Sequence, residues 1–117
     1  EPDLDARVRF LVEVFGFRVL RRGTHIATGG RIVMMADPRG MKLELIEVTV
    51  RRGHLEHVAY RVPDVDTAHK ALLDAGCTEE RPPFDIPAAH ARSSLLVEPA
   101  GHRLQLITYQ PDSPDLT

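Results

Sequence analysis

Glu44 and Gln105 occupy the same place in two copies of one motif. Residues 37–48 read DPRGMKLELIEV, and residues 98–109 read EPAGHRLQLITY. Overlaid at a spacing of 61, they share an acid, Pro38 with Pro99, Gly40 with Gly101, and a basic residue, Lys42 with Arg103. Leu43, Leu45 and Ile46 then fall on Leu104, Leu106 and Ile107. Between the two leucines of each copy stands one polar side chain that bears an oxygen. A carboxylate there can bind a cation, pair with a guanidinium or take up a proton. An amide can coordinate or hydrogen-bond but cannot act as a general base near neutral pH. Either group needs a partner if it is buried in an apolar sheet.

The elements that position them repeat as well. PDLD at Pro2 and PDVD at Pro63 are again 61 apart. After the first, Val8, Leu11, Val12 and Phe15 follow helical spacing, with Asp5 as the expected N-cap and Gly16 as the stop. After the second, Ala68, Ala71, Leu72 and Ala75 repeat the pattern, and Gly76 closes it. Each helix precedes three strand-like runs, 17–21, 31–36 and 41–48 in the first copy and 78–81, 92–97 and 102–109 in the second. The last two runs of each set are joined by a Pro-x-Gly turn, as in a hairpin. LEHVAYRV, residues 55–62, alternates as a half-buried strand before PDVD. PDLD has only Glu1 before it, so the repeat places a first strand upstream of residue 1. The counterpart of His57 on that strand, a His, Gln or Glu, is expected five residues before Glu1. The expected organisation is a single domain over 1–117, made of modules 1–50 and 54–110, with a flexible tail over 111–117.

The chain has 117 residues, a formal net charge of −2 and 43% hydrophobic content, which suits one domain with a real core. The basic residues are scattered, so a nucleic-acid partner is not expected. No apolar run is long enough to span a bilayer, and no signal peptide is visible, so a cytoplasmic location is expected. Cys77 is the only cysteine and reads as inert packing.

A two-fold repeat of strand, helix and strand also fits a ferredoxin-like domain, but that half-unit needs only two strands around its helix, whereas a 61-residue unit accommodates four. The βαβββ unit is the better match. The segments PDLDARVRFLVEVFGF, DPRGMKLELIEV, GHLEHVAYRVPDVDTAHKALLDAG and EPAGHRLQLITY resemble the vicinal oxygen chelate superfamily. That superfamily includes glyoxalase I, methylmalonyl-CoA epimerase, extradiol dioxygenases and bleomycin and fosfomycin resistance proteins. The resemblance implies an α+β fold of tandem βαβββ modules, with a curved, partly open mixed sheet and helices on its outer face. It further implies one divalent metal ion held by Glu44, His57 and Gln105, with a fourth ligand on the absent first strand. Such ligands suit Zn, Ni, Co, Mn, Fe or Mg. Strand alternation puts Ile46 on the face of Glu44, Arg61 on the face of His57, and Ile107 and Tyr109 on the face of Gln105. Val58, Tyr60 and Val62 are left for the core.

Metal-free partners stay open: Arg61 for Glu44, and a neighbouring strand for Gln105. His54, His90 and His102 are expected to be solvated, and His69 has no evident partner. Where glyoxalase carries a glutamate that both binds metal and moves the proton, this chain has Gln105. Glu44 is therefore the expected catalytic base. The resemblance then suggests a lyase or isomerase acting on a small oxygen-chelating or enolisable substrate, contacted by Arg61, Ile46, Ile107 and Tyr109. The alternative is a metal-free protein that sequesters a small ligand, as bleomycin-resistance members do, and a third is an accessory dimerisation domain. A homodimer is expected from exposed sheet edges.

Overall fold

A computed structural model describes residues 1–49 and 55–116. It resolves the chain into two units, divided between His54 and Leu55. In the first, helix α1 (Leu4–Phe15) precedes strands β1 (Arg18–Thr24), β2 (Arg31–Ala36) and β3 (Lys42–Ile46), which form an antiparallel sheet in the order β1-β2-β3. In the second, strand β4 (Val58–Arg61) leads to helix α2 (Val65–Asp74) and strands β5 (Thr78–Ile86), β6 (Ala91–Val97) and β7 (Arg103–Tyr109). Their sheet has the order β4-β7-β6-β5, with β4 parallel to β7 and the other pairs antiparallel. The sheets are thus two in hydrogen bonding, and this is the glyoxalase-like fold.

The repeat extends to individual hydrogen bonds. Gly40 and Gly101 both have φ of 94°, a conformation open to glycine at little cost. In the first turn Gly40 N–H donates to Asp37 O and Asp37 N–H to Met41 O; in the second Gly101 N–H donates to Glu98 O and Glu98 N–H to His102 O. Val62 N–H donates to Ile107 O at 2.9 Å, and the Glu1 backbone nitrogen donates to Ile46 O at 2.6 Å. Glu1 therefore takes, against β3, the place that Val62 takes against β7.

Several expectations are corrected. The N-cap of α1 is Asp3, whose carboxylate accepts from Ala6 N–H at 3.0 Å; Asp5 lies in the first turn and pairs with Arg31. The buried face of α1 is Leu4, Val8 and Leu11, with Val12 and Phe15 outside. The helix ends at Gly16 (φ 72°), and the next residue, Phe17, fills the core in place of Phe15. On α2 the inner residues are Val65, Ala68, His69 and Leu72, while Ala71 and Ala75 are exposed. β5 continues through Pro82 and Pro83 to Ile86. It lies at the sheet edge, with irregular register at Arg81 and Phe84, where missing N–H donors are tolerated. β4 has four residues and one neighbour, so Val58 and Tyr60 are exposed rather than in the core, whereas Val62 packs inward. The 111–117 tail, expected to be flexible, folds back as far as it is described. Ser113 Oγ donates to Ala89 O, and Asp115 is buried. His54 and Thr117 lie outside the described residues. Among the described residues no helix is long and apolar enough to cross a membrane.

Candidate functional site

Strand register decides which side chains share a face. In the second unit Leu104 and Leu106 pack with Val65 and Leu72 of α2, so the alternate residues of β7 turn to the opposite face. These are Gln105, Ile107 and Tyr109, and β4 adds Ala59 opposite Gln105 and Arg61 opposite Ile107. His57 immediately precedes β4 and joins that face. Its Nε2 lies 2.9 Å from Gln105 Oε1.

The amide is oriented by a third residue. Gln105 Nε2 donates to Ser93 Oγ at 2.7 Å, and Ser93 Oγ donates to Leu106 O at 2.8 Å. Were the amide turned over, its oxygen would face a hydroxyl whose proton is already given to Leu106. The oxygen therefore faces His57, and His57 Nε2–H is the donor. Among the described residues His57 Nδ1 is buried without a hydrogen-bond partner, and a Glu56 carboxylate oxygen lies 3.9 Å away. Arg103 pairs with that same Glu56 and with Glu80 at 2.7 Å.

In the first unit the corresponding row runs Arg21, Met34, Glu44 across β1, β2 and β3. Arg21 Nη2 stands 3.5 Å from Glu44 Oε2. Glu44 is not a buried carboxylate, since its side chain keeps 30% of its exposure. Its guanidinium partner in this unit is Arg21, a residue that sequence reasoning passed over. Within the second unit Arg61 stacks over the ring of Tyr109, 5.7 Å from its centroid. By strand register Arg81 holds the matching place beside Leu95 and Gln105, but 61 residues after Arg21 stands Pro82, so the sequence repeat did not reveal it.

The structure thus brings together His57 with Gln105, and Arg61 with Tyr109. Ile107 is 6% exposed and packs with Ala89 and Ala91 beside Tyr109, as core rather than open wall. Glu44 and Ile46 belong to β3 of the first unit. An open groove of about 410 Å³ passes His57 in the second unit. Glu56, Glu98, His102 and Arg103 line it together with Leu55, Val58, Tyr60 and Leu104, so its wall mixes charged and apolar side chains. Among the described residues no group of three or more His, Cys, Asp or Glu side chains is placed to hold a metal.

His69 does have partners. Its Nδ1 is 2.7 Å from Ser94 Oγ and its Nε2 is 2.8 Å from Glu79 Oε1, between α2 and the sheet. His90 contacts Asp112 at 3.0 Å, and His102 is exposed.

The family model for the Glyoxalase/Bleomycin resistance protein/Dioxygenase superfamily matches residues 1–106. Among curated proteins, none matches the chain. Similar solved structures include methylmalonyl-CoA epimerase from Mycobacterium tuberculosis, with a TM-score of 0.76, 19% identity, and coverage of 93% of this chain and 82% of that one. A variant of the Streptomyces coelicolor methylmalonyl-CoA epimerase, in complex with 2-nitronate-propionyl-CoA, aligns with a TM-score of 0.73 and 23% identity, over 95% and 90% of the two chains. A hypothetical protein from Bacillus halodurans aligns with a TM-score of 0.77 and 14% identity, over 97% and 91%. At these identities the likeness is one of fold.

Proposed function

The chain belongs to the Glyoxalase/Bleomycin resistance protein/Dioxygenase superfamily, and from that premise we propose that it is a divalent-metal-dependent enzyme of the lyase or isomerase type. The observation that carries the proposal is the His57–Gln105 contact. Two neutral donor atoms, each the right type for a borderline or hard cation, converge to 2.9 Å on one face. Ligand atoms about 2.1 Å from a shared ion and at right angles to it stand about 3.0 Å apart. The pair therefore fits a chelating edge, with the His57 proton moving from Nε2 to Nδ1, which has no partner among the described residues. Glu44 is the proposed third ligand. Zn, Ni, Co, Mn, Fe and Mg all suit this donor set. When bound, the ion supplies Lewis-acid polarisation of a substrate oxygen.

The protein's own groups do the rest in this proposal. Glu44 removes a proton next to a carbonyl and returns it, and Arg21 orients the carboxylate from the neighbouring strand. Gln105 positions an oxygen and moves no proton. One base serves proton transfer on one side of the substrate. Arg61, braced on Tyr109, holds an anionic substrate group, and Ile46, Ile107 and Tyr109 supply apolar contacts. The epimerase structures make methylmalonyl-CoA the first compound to assay. The reaction is proposed for a homodimer in the cytoplasm.

One observation favours a second reading, a metal-free protein that binds a small ligand. Both candidate ligand sets are already partnered, Glu44 by Arg21 and Gln105 by His57 and Ser93. Metal titration of the purified protein separates the two: saturable binding that His57→Ala abolishes supports the enzyme, and its absence supports the binding protein.

A further inference from the structure

We infer that Ser93 is a positioning residue that makes Gln105 present its oxygen, and not its nitrogen, to the metal-binding edge. A carboxylate offers the same atom at both ends, whereas an amide offers an acceptor at one end and a donor at the other. An amide that turned its NH₂ toward His57 would present no lone pair to a cation. Something must therefore choose the end.

Ser93 makes that choice. Its side chain is fully buried (0% exposed) and holds one proton and free acceptor capacity. The proton is committed to Leu106 O at 2.8 Å, so toward Gln105 the hydroxyl can only accept. It accepts from Gln105 Nε2 at 2.7 Å, which directs Oε1 to His57. The first unit supplies an internal control. Ser93 pairs with Ile107 across the strands, and Ile32 pairs with Ile46 at the corresponding place. The unit with a carboxylate at the ligand position thus has an isoleucine where the unit with an amide has the serine.

The inference rests on the proposed metal site for its consequence but not for its geometry, and the test keeps these apart. In the metal-free protein, ¹⁵N NMR of the His57 ring should show a single Nε2–H form in the wild type. Ser93→Ala should replace it with a mixture or with the Nδ1–H form. An unchanged ring tautomer in that variant would overturn the inference, whether or not the protein binds metal. In the presence of Zn, Ser93→Ala should weaken binding about tenfold to a hundredfold, as loss of a ligand's supporting hydrogen bond does. In a Gln105→Glu background the same substitution should cost little, because either carboxylate oxygen can ligate. Equal losses in both backgrounds would mean that Ser93 only supports the fold, and would refute a role in orientation. A wild type that binds no metal while its tautomer still responds would remove the proposed enzyme and leave the orienting role standing.

Discussion

Replacing the buried histidine of α2 should be costly alone and nearly harmless in company. His69 and Ser94 are buried, and the imidazole spans Ser94 Oγ at 2.7 Å and Glu79 Oε1 at 2.8 Å. Sixty-one residues before His69 and Ser94 the first unit has Val8 and Val33, and both belong to its core. His69→Val removes both hydrogen bonds and leaves the Ser94 hydroxyl in an apolar layer. An unsatisfied buried polar group costs about 1–3 kcal/mol. Glu79 adds little, because its side chain is 44% exposed and returns to water. A loss of that size lowers the melting temperature by roughly 4–8 °C per kcal/mol in a domain near this size. Adding Ser94→Val removes the orphaned hydroxyl and refills the volume that His69→Val vacates. The double variant should therefore recover most of the loss, with a coupling of about 1–3 kcal/mol between the two sites. Urea unfolding of wild type, both single variants and the double variant measures it. A double variant no more stable than His69→Val would refute the reasoning.

Three further outcomes follow from the same geometry. Gln105→Glu should tighten binding of Zn, Ni, Co or Mn by adding a full charge at the ligand position; a destabilised variant indifferent to all four would sink its assignment as a ligand. Arg92 holds the Asp66 carboxyl below its usual range, chiefly through their side-chain hydrogen bonds. The stability from this pair should be present above the unfolded carboxylate value of about 3.9 and fade as pH falls through the lower folded one. NMR titration should find the Asp66 pKa restored upward in Arg92→Met, and an unmoved value would contradict the pairing. Light scattering at micromolar concentration should return a dimer mass, and a monomer mass would remove the homodimer from the proposal.

The repeat made most of the fold legible, because it carried its own turns and helix starts. DPRG and EPAG keep the same glycine conformation, and PDLD and PDVD each place an aspartate, Asp3 or Asp64, at the helix N-cap. The face shared by His57, Arg61, Gln105, Ile107 and Tyr109 followed from strand alternation alone. Three features escaped that reading, for different physical reasons. His69 lies inward because two partners satisfy it, and both sit on other strands. β5 runs past its prolines because it is an edge, a property of strand order and not of local sequence. Ser93 and Arg21 act on Gln105 and Glu44 across strands, so only the pairing register brings them together.

Metal binding by the whole chain tests the account most directly. Calorimetric titration of chelator-treated protein with Zn, Ni, Co and Mn, paired with X-ray absorption of the best-binding ion, should show one site per chain. The ion should have an imidazole nitrogen in a shell otherwise made of oxygen, and His57→Ala should abolish binding. A chain that binds none of these ions, or binds one equally well without His57, would contradict the account.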